Sequence, residues 1–385
     1  MERKRTTFFI LIAILIGVII GIFAWKILAP KLGAGVFYYR LDGNKANLVL
    51  LNGKGEGEKV LTIDAQEVDL GKYKPPRYTF ISSNNRQMVY FKKTKEETIQ
   101  NFGNDLVANR IFYEPILVNL KTGTEKKINQ PLDASSVVFS SDNNNIAWIK
   151  EIKESTFDEI QKNNTKREIW ISRADGENPQ PLVSLNDNVV LLKRWEGNYI
   201  YFQGVSGINA KSVGRIDVLN KKADYITPKG CEVSLTNCQN ISFSPTGNFF
   251  LYEIYSIKDN KEITELYLGD FGNNEFKPIL TTDRISDKLW LESEEGFVYT
   301  EQEVIENQLK ETIHLVDLYK ETDTELYSGS YINELAFDGS NNYLYFLEKV
   351  DTEEINMFDL KRFHIKNKKA ETVLTENYNN ILIVQ

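Results

Sequence analysis

Two cysteines, two histidines and three methionines in 385 residues leave little material for chemistry that depends on them. Cys231 and Cys238 are too few, and His314 and His364 too distant in sequence, to build the usual four-ligand zinc site. No Gly-x-Ser-x-Gly pentapeptide occurs, so the strained elbow that exposes a hydrolase serine has no candidate. Positive charge is also short. Lys and Arg number 46 against 54 Asp and Glu, a formal net charge of −8. The deficit is uneven: Arg3, Lys4, Arg5, Lys26 and Lys31 against Glu2 put the first 34 residues at +4, leaving −12 on the rest. A body that acidic repels nucleic-acid phosphates and anionic headgroups alike, and its ordinary consequence is solubility. No catalytic residue, cofactor or metal ligand is expected, and a nucleic-acid partner is disfavoured.

Long apolar runs are absent but for one. Residues 8–25 carry no charge. As a helix they span roughly 27 Å at about 1.5 Å per residue. A snorkelling Lys26 lets residues 27–29 extend this toward the ~30 Å of a bilayer core. Arg3, Lys4 and Arg5 precede the run, which keeps the N-terminus cytoplasmic and exports the rest. A cleaved signal peptide has a shorter apolar core and a small-x-small site. Here Lys26 and Pro30 follow instead, with only Gly33-Ala34-Gly35 as a small cluster. The expectation is a cytoplasmic tail at 1–5, an uncleaved transmembrane anchor at 6–29, a linker at 30–34 and an extracytoplasmic domain at 35–385. The result would be a single-pass cell-membrane protein. "GVIIG" (17–21) has the small-x-x-x-small spacing that pairs helices, a spacing also common by chance in apolar runs. Export makes a disulfide between Cys231 and Cys238 in "CEVSLTNC" chemically permitted. The sequons "NNT" and "NIS" matter only in a eukaryotic secretory pathway.

The rest of the chain repeats itself. One unit is a strand, a polar turn and a strand: "YTFISSNNRQMVYF" (78–91), "VVFSSDNNNIAWI" (137–149), "ISFSPTGNFFLYE" (241–253), "LWLESEEGFVYTE" (289–301) and "LAFDGSNNYLYFL" (335–347). Aromatic anchors Phe80, Phe139, Phe243, Trp290 and Phe337 open these units, and Val89, Trp148, Tyr252, Tyr299 and Phe346 follow nine residues later. "VVLLKRWEGNYIYFQ" (189–203) is a degenerate copy. A second unit alternates with the first, as in "IWISRADGENPQPL" (169–182) and "LYLGDFGNNEFKPIL" (266–280). The Ser, Asp, Asn, Gly and Pro between the strands are what tight hairpins require. Paired units recur about every 46 to 58 residues, and four-stranded repeats of that period mark a β-propeller. The first blade opens at "GVFYYR" (35–40) without an innermost strand, whereas the chain ends in a lone strand-like "NYNNILIVQ" (377–385). The expectation is an all-β, seven-bladed propeller of four-stranded antiparallel blades, closed by Ile381 to Val384. The alternative is an open or six-bladed ring.

The paired motifs "ISFSPTGNFFLYE" and "IWISRADGENPQPL" resemble those of TolB-type propeller repeats. The resemblance covers nearly all of residues 35 to 385. It is strongest in blades 3 and 5 and weakest in 4 and 6, and only one copy keeps Ser-Pro in its first turn. It implies the propeller fold and protein partners. The family also includes the propellers of prolyl oligopeptidases, so it implies function far less than fold.

His314 and His364 alternate with apolar residues and read as half-buried strand positions. "SSDNNN" (140–145) lacks the Gly and terminal Glu of a calcium loop and reads as a hairpin turn. Segments 92–110, 151–167 and 204–214 read as long loops joining second strands to third. With the Cys-bearing 227–240 they fall on one face, and long loops on a rigid scaffold are where binding resides. The resulting expectation is a non-enzymatic protein-interaction scaffold at the cell envelope, with Phe102, Phe157 and Ile160 as apolar contacts to another envelope protein. A glycan-, peptide- or small-ligand-binding channel is the second reading, and a propeller hydrolase or lyase the third.

Overall fold

The computed structural model of the chain describes residues 36–52, 55–64, 80–100, 107–128, 136–151, 167–185, 189–206, 210–231, 237–258, 261–305, 308–338, 342–350, 357–377 and 381–384. The expected anchor and linker at 6–34 lie outside them. Among the described residues, no helix is long and apolar enough to cross a membrane.

Seven four-stranded antiparallel sheets form the seven blades of a propeller. In blade 1 the order from the centre outward is Ile381–Val384, Val36–Asp42, Lys45–Leu51 and Gly57–Asp64. The last strand of the chain therefore supplies the innermost strand of the first blade. Phe37 pairs with Val384 and Arg40 with Ile381. The ring closes as the lone C-terminal strand predicted, and it has seven blades rather than six.

The core consists of wedges between blades. Strand side chains alternate in direction with a period of two, so a middle strand feeds one neighbour with its odd positions and the other with its even ones. Phe37 and Tyr39 pack with Met88, Tyr90 and Ile116 of blade 2. Val36 and Tyr38 pack with Tyr345, Leu347 and Leu360 of blade 7. Both faces being covered, second strands read as continuous apolar runs such as "MVYF", "IAWI" and "LYFL". Two glycines belong to this packing. A Cβ on Gly214 would sit 2.1 Å from Phe202, and one on Gly269 would sit 2.3 Å from Phe250. In each case the ring lies over its own register partner on the next strand.

The turns between first and second strands share one chemistry. Ser82, Ser140, Ser244, Leu291 and Asp338 each donate their backbone N–H to the carbonyl five residues on, at 2.9–3.0 Å. In the Ser copies the hydroxyl oxygen also accepts the returning strand's N–H, as from Asn145 to Ser140 at 3.0 Å and from Phe249 to Ser244 at 3.2 Å. Asn85, Asn143 and Glu294 hold the left-handed position of these turns, with Gly247 in the Ser-Pro copy. Ser140–Asn145 is thus a hairpin turn.

Two segments expected as loops are strands. Gln87–Gln100 and Val107–Asn119 pair continuously out to Gln100 and Val107, so 92–100 and 107–110 prolong the blade. Tyr199–Ser206 and Ala210–Asp217 pair out to Ser206 and Ala210, which makes most of 204–214 strand as well. Their sequences hid both, because backbone pairing carries the ladder on past the regular apolar runs. Blades 5 and 6 carry similar hairpins, Phe249–Lys258 with Lys261–Asp270 and Gly296–Ile305 with Gln308–Asp317.

Ile383 is 4 % exposed and belongs to the wedge between blades 7 and 1. Ile383→Ala is expected to cost about 2–5 kcal/mol in urea denaturation, the usual range for emptying a buried aliphatic site.

Candidate functional site

Connections between second and third strands, and between blades, leave one face of the ring, here the hairpin face. The remaining connections leave the opposite, turn face. The central channel joins the two. These three places are where a rigid propeller offers a site.

The channel wall is made of innermost strands, whose channel-facing edges have no further strand to pair with. Their amides are satisfied by side chains of the preceding blade. Ser136 Oγ accepts from Leu192 N at 3.2 Å, Asp287 Oδ2 from Leu335 N at 3.0 Å, and Glu334 Oε2 from Ile383 N at 2.8 Å. Each acceptor sits three residues before its blade's aromatic anchor, so a single repeat position staples blade to blade. The register slips near this point in blades 4, 5, 6 and 7, as bulges do where a strand must turn a side chain aside. Burial pushes the Asp287 carboxyl above the usual range, against the pull of the Leu335 and Lys288 N–H groups and of the Lys288 charge.

Lys288 and Glu253 form an ion pair with side chains 5 % and 1 % exposed. Glu253 also accepts from Asn240 Nδ2 at 3.0 Å and from Tyr255 Oη at 2.6 Å. Burial pulls the Lys288 ammonium below its ordinary range, with Glu253 acting against it. Burial and the Glu253 carboxylate raise the Tyr255 phenol. The cluster therefore ties blade 5 to blade 6 and has no group left over for proton transfer.

A second polar cluster lies between blades 5 and 6. His314 Nδ1 faces Asp323 Oδ1 at 3.0 Å and Nε2 faces Glu301 Oε2 at 3.4 Å. Its ring stacks on Tyr299 at 4.9 Å between centroids, and Tyr299 Oη donates to Asp323 Oδ2 at 2.7 Å. Burial lowers the imidazole pKa, but Asp323, Glu301 and Glu325 outweigh it and the net shift is upward. Burial raises Asp323, yet its bonds to His314 and Tyr299 hold it below the carboxylate range. His364 is half-buried against Tyr343, its ring edge-on at 4.8 Å. Among the described residues no cluster of His, Cys, Asp and Glu is arranged to hold a metal ion.

Of the residues singled out from sequence, Phe102, Phe157 and Ile160 lie outside the described residues. Cys231 is 1 % exposed and disulfide-bonded, and neither cysteine is free. Cys238 lies on Asn237–Phe243, opposite Ile254. Among the described residues, the exposed apolar side chains on the hairpin face include Ile257, Val304, Ile305 and Tyr331. The first three lie near the ends of the blade 5 and blade 6 hairpins, where Ile257 pairs with Glu262 and Ile305 with Gln308, and Tyr331 lies between blades 6 and 7. Sequence reading missed them, although "EVIENQ" breaks the strict alternation of its strand.

No family model and no curated protein matches the chain. Solved structures do. An oligogalacturonate lyase from Vibrio parahaemolyticus superposes with a TM-score of 0.56 at 13% identity, covering 83% of this chain and 84% of that one. A prolyl endopeptidase superposes with a TM-score of 0.59 at 10% identity, covering 92% of this chain but 49% of that longer one. TolB from Acinetobacter baumannii is matched at 12% identity over 87% of this chain and 77% of that one, with a TM-score of 0.43. In fold the chain is a β-propeller of seven four-stranded antiparallel blades. At these identities the likeness reaches the fold and stops there.

Removing one partner of a buried ion pair leaves the other uncompensated. Lys288→Met is therefore expected to cost about 3–5 kcal/mol, and adding Glu253→Gln to recover much of that loss, in a double-mutant cycle read by urea denaturation. The folded state favours charged His314. Its contribution is complete below the ordinary value of 6.5 and fades as pH rises through the elevated folded value. The stability gap between wild type and His314→Gln should accordingly shrink from pH 6 to pH 8.5. A gap that widens over that range would show that the neutral ring is the favoured form.

Proposed function

We propose that the chain is a membrane-tethered, extracytoplasmic, non-catalytic propeller that docks a protein partner on its hairpin face. The observation that carries this reading is the set of long second-to-third-strand hairpins in blades 2, 4, 5 and 6, two of them tipped with exposed Ile257, Val304 and Ile305. The charged groups of the channel support it from the other side, since Asp287, Glu334, Lys288 and Glu253 are committed to holding blades together. Phe102, Phe157 and Ile160 are proposed as further contacts on the same face.

The tether sets the orientation. Val36 pairs with Leu51, beside the turn at Asn52–Glu56, so the chain enters the ring at its turn face. Residues 30–35 reach roughly 20 Å when extended, at about 3.3–3.6 Å each. An anchor at 6–29 would hold the turn face near the bilayer and point the hairpins away from it, toward a partner in the envelope.

The test is cross-linking in intact source-cell membranes, with capture through a C-terminal tag. Links from a second protein are expected at 92–110, 249–270 or 296–317. Replacing Ile257, Val304 and Ile305 with Ser should abolish them with little change in stability, because exposed positions usually stay within about ±0.5 kcal/mol. Exclusively internal links, or a triple variant that keeps its partner, would sink the reading.

A further inference from the structure

Blade 4 breaks the pattern of the channel wall. Where blades 3, 6 and 7 place Ser136, Asp287 and Glu334, it has Leu192, followed by Lys193 and Arg194. The register slips between Leu192 and Arg194, which leaves Lys193 out of the strand ladder. Among the described residues no carboxylate lies within ion-pair distance of Lys193, whose side chain is exposed at the channel. Loss of surrounding water lowers its pKa, and the Lys288 cation, which already has Glu253, acts in the same direction. Arg194 is similarly unfilled. Its Nε is buried without an acceptor, and its Nη2 lies 3.7 Å from Glu196 Oε2, beyond hydrogen-bond range. Among the described residues Arg194 thus has one distant carboxylate and Lys193 none, in a protein with an excess of acid.

Beside them is a cavity of about 240 Å³, where the innermost strands of blades 2, 3 and 4 run into their turns. Phe80, Val137, Phe139 and Trp195 supply apolar wall. The polar groups of the other walls are occupied. Trp195 Nε1 donates to Gly197 O at 3.1 Å, Ser140 Oγ donates to Asp142 Oδ1 at 2.5 Å, and Ser83 and Asn143 bond each other. What the cavity offers a guest is therefore a guanidinium and an ammonium on one side, with the Glu196 carboxylate 3.7 Å from the guanidinium, and aromatic surface on the other.

Arg194 Nε is the buried donor left without an acceptor here, and such donors cost free energy that natural structures seldom leave uncompensated. We infer that this cavity binds a small organic carboxylate, its acid group taken by Arg194 and Lys193 and its apolar body lying against Phe80, Phe139 and Trp195. The guanidinium fork matches a carboxylate and the ammonium adds a point charge. The volume lies below the ~300–1,000 Å³ typical of drug-sized ligands, which restricts the guest to a small molecule. The apolar wall disfavours inorganic anions, whose hydration it cannot replace. The cavity belongs to the turn end of the channel, apart from the hairpin tips.

The experiment is a titration of the full-length chain in detergent micelles with benzoate, its neutral analogue benzamide, and inorganic phosphate at constant ionic strength, read by thermal unfolding and calorimetry. Benzoate is expected to raise the unfolding midpoint saturably, while benzamide and phosphate have no saturable effect. Lys193→Met should weaken benzoate at least about tenfold, the scale of one charge-assisted hydrogen bond. The unliganded variant should melt close to the wild-type midpoint, because Lys193 is exposed and the substitution removes no ion pair. Replacing Ile257, Val304 and Ile305 with Ser should leave the benzoate response intact, which separates this site from the hairpin face. Equal responses to benzoate and benzamide would overturn the inference. So would no saturable response to benzoate, or a Lys193→Met variant that melts below wild type yet keeps its benzoate affinity.

Discussion

Four residues at the end of the chain make the ring possible. Ile381–Val384 pairs with Val36–Asp42 and sends Ile381 and Ile383 into the wedge between blades 7 and 1. A propeller has no single core to fall back on. Each wedge is shared by two blades, so an unfilled one exposes two sheet faces and a row of unpaired strand amides at once. The same pairing brings the two ends of the folded chain together at the turn face. Whatever precedes residue 36 must leave from there, and the hairpin face is left free of both ends.

The constraint propagates inward. Seven innermost strands stand side by side around the channel without pairing to one another, and their buried amides need acceptors. Ser136, Asp287 and Glu334 supply them from one repeat position, each reaching the next blade. Channel polarity in this protein is therefore first a consequence of architecture. Acidic residues around a propeller channel invite a catalytic reading, and here their hydrogen bonds give them other work. Glu253 shows the same economy, accepting from Lys288, Asn240 and Tyr255 together.

What could be read from the sequence was whatever repeats locally. The Ser or Asp that opens most of these turns, the aromatic anchor before it and the apolar run after it lie within about a dozen residues, the span of a single hairpin. The missing first strand and the surplus last one gave the closure, a long-range contact legible only by counting. The hairpin extensions were not legible: "KKTKEETIQ" has one aliphatic residue in nine and reads as a loop, though its backbone pairs without a break except near Lys93. The channel network was hidden for a different reason. Lys288 and Glu253 stand 35 residues apart on different blades, and a bulge decides which side chain turns inward. No local pattern carries that information.

Lys193 and Lys288 make the distinction between structure and site concrete. Both stand two residues before a tryptophan anchor, Trp195 and Trp290, on innermost strands of the same ring, and loss of surrounding water lowers the pKa of both. Position and titration therefore do not separate them; partners do. Lys288 meets a carboxylate from the neighbouring blade and is explained by the fold. Lys193 meets a cavity, beside an arginine whose Nε is also without an acceptor. A charge that the fold satisfies serves the fold, and a cation that it leaves without a partner beside an empty space, next to a buried guanidinium nitrogen, has its explanation in what fills that space.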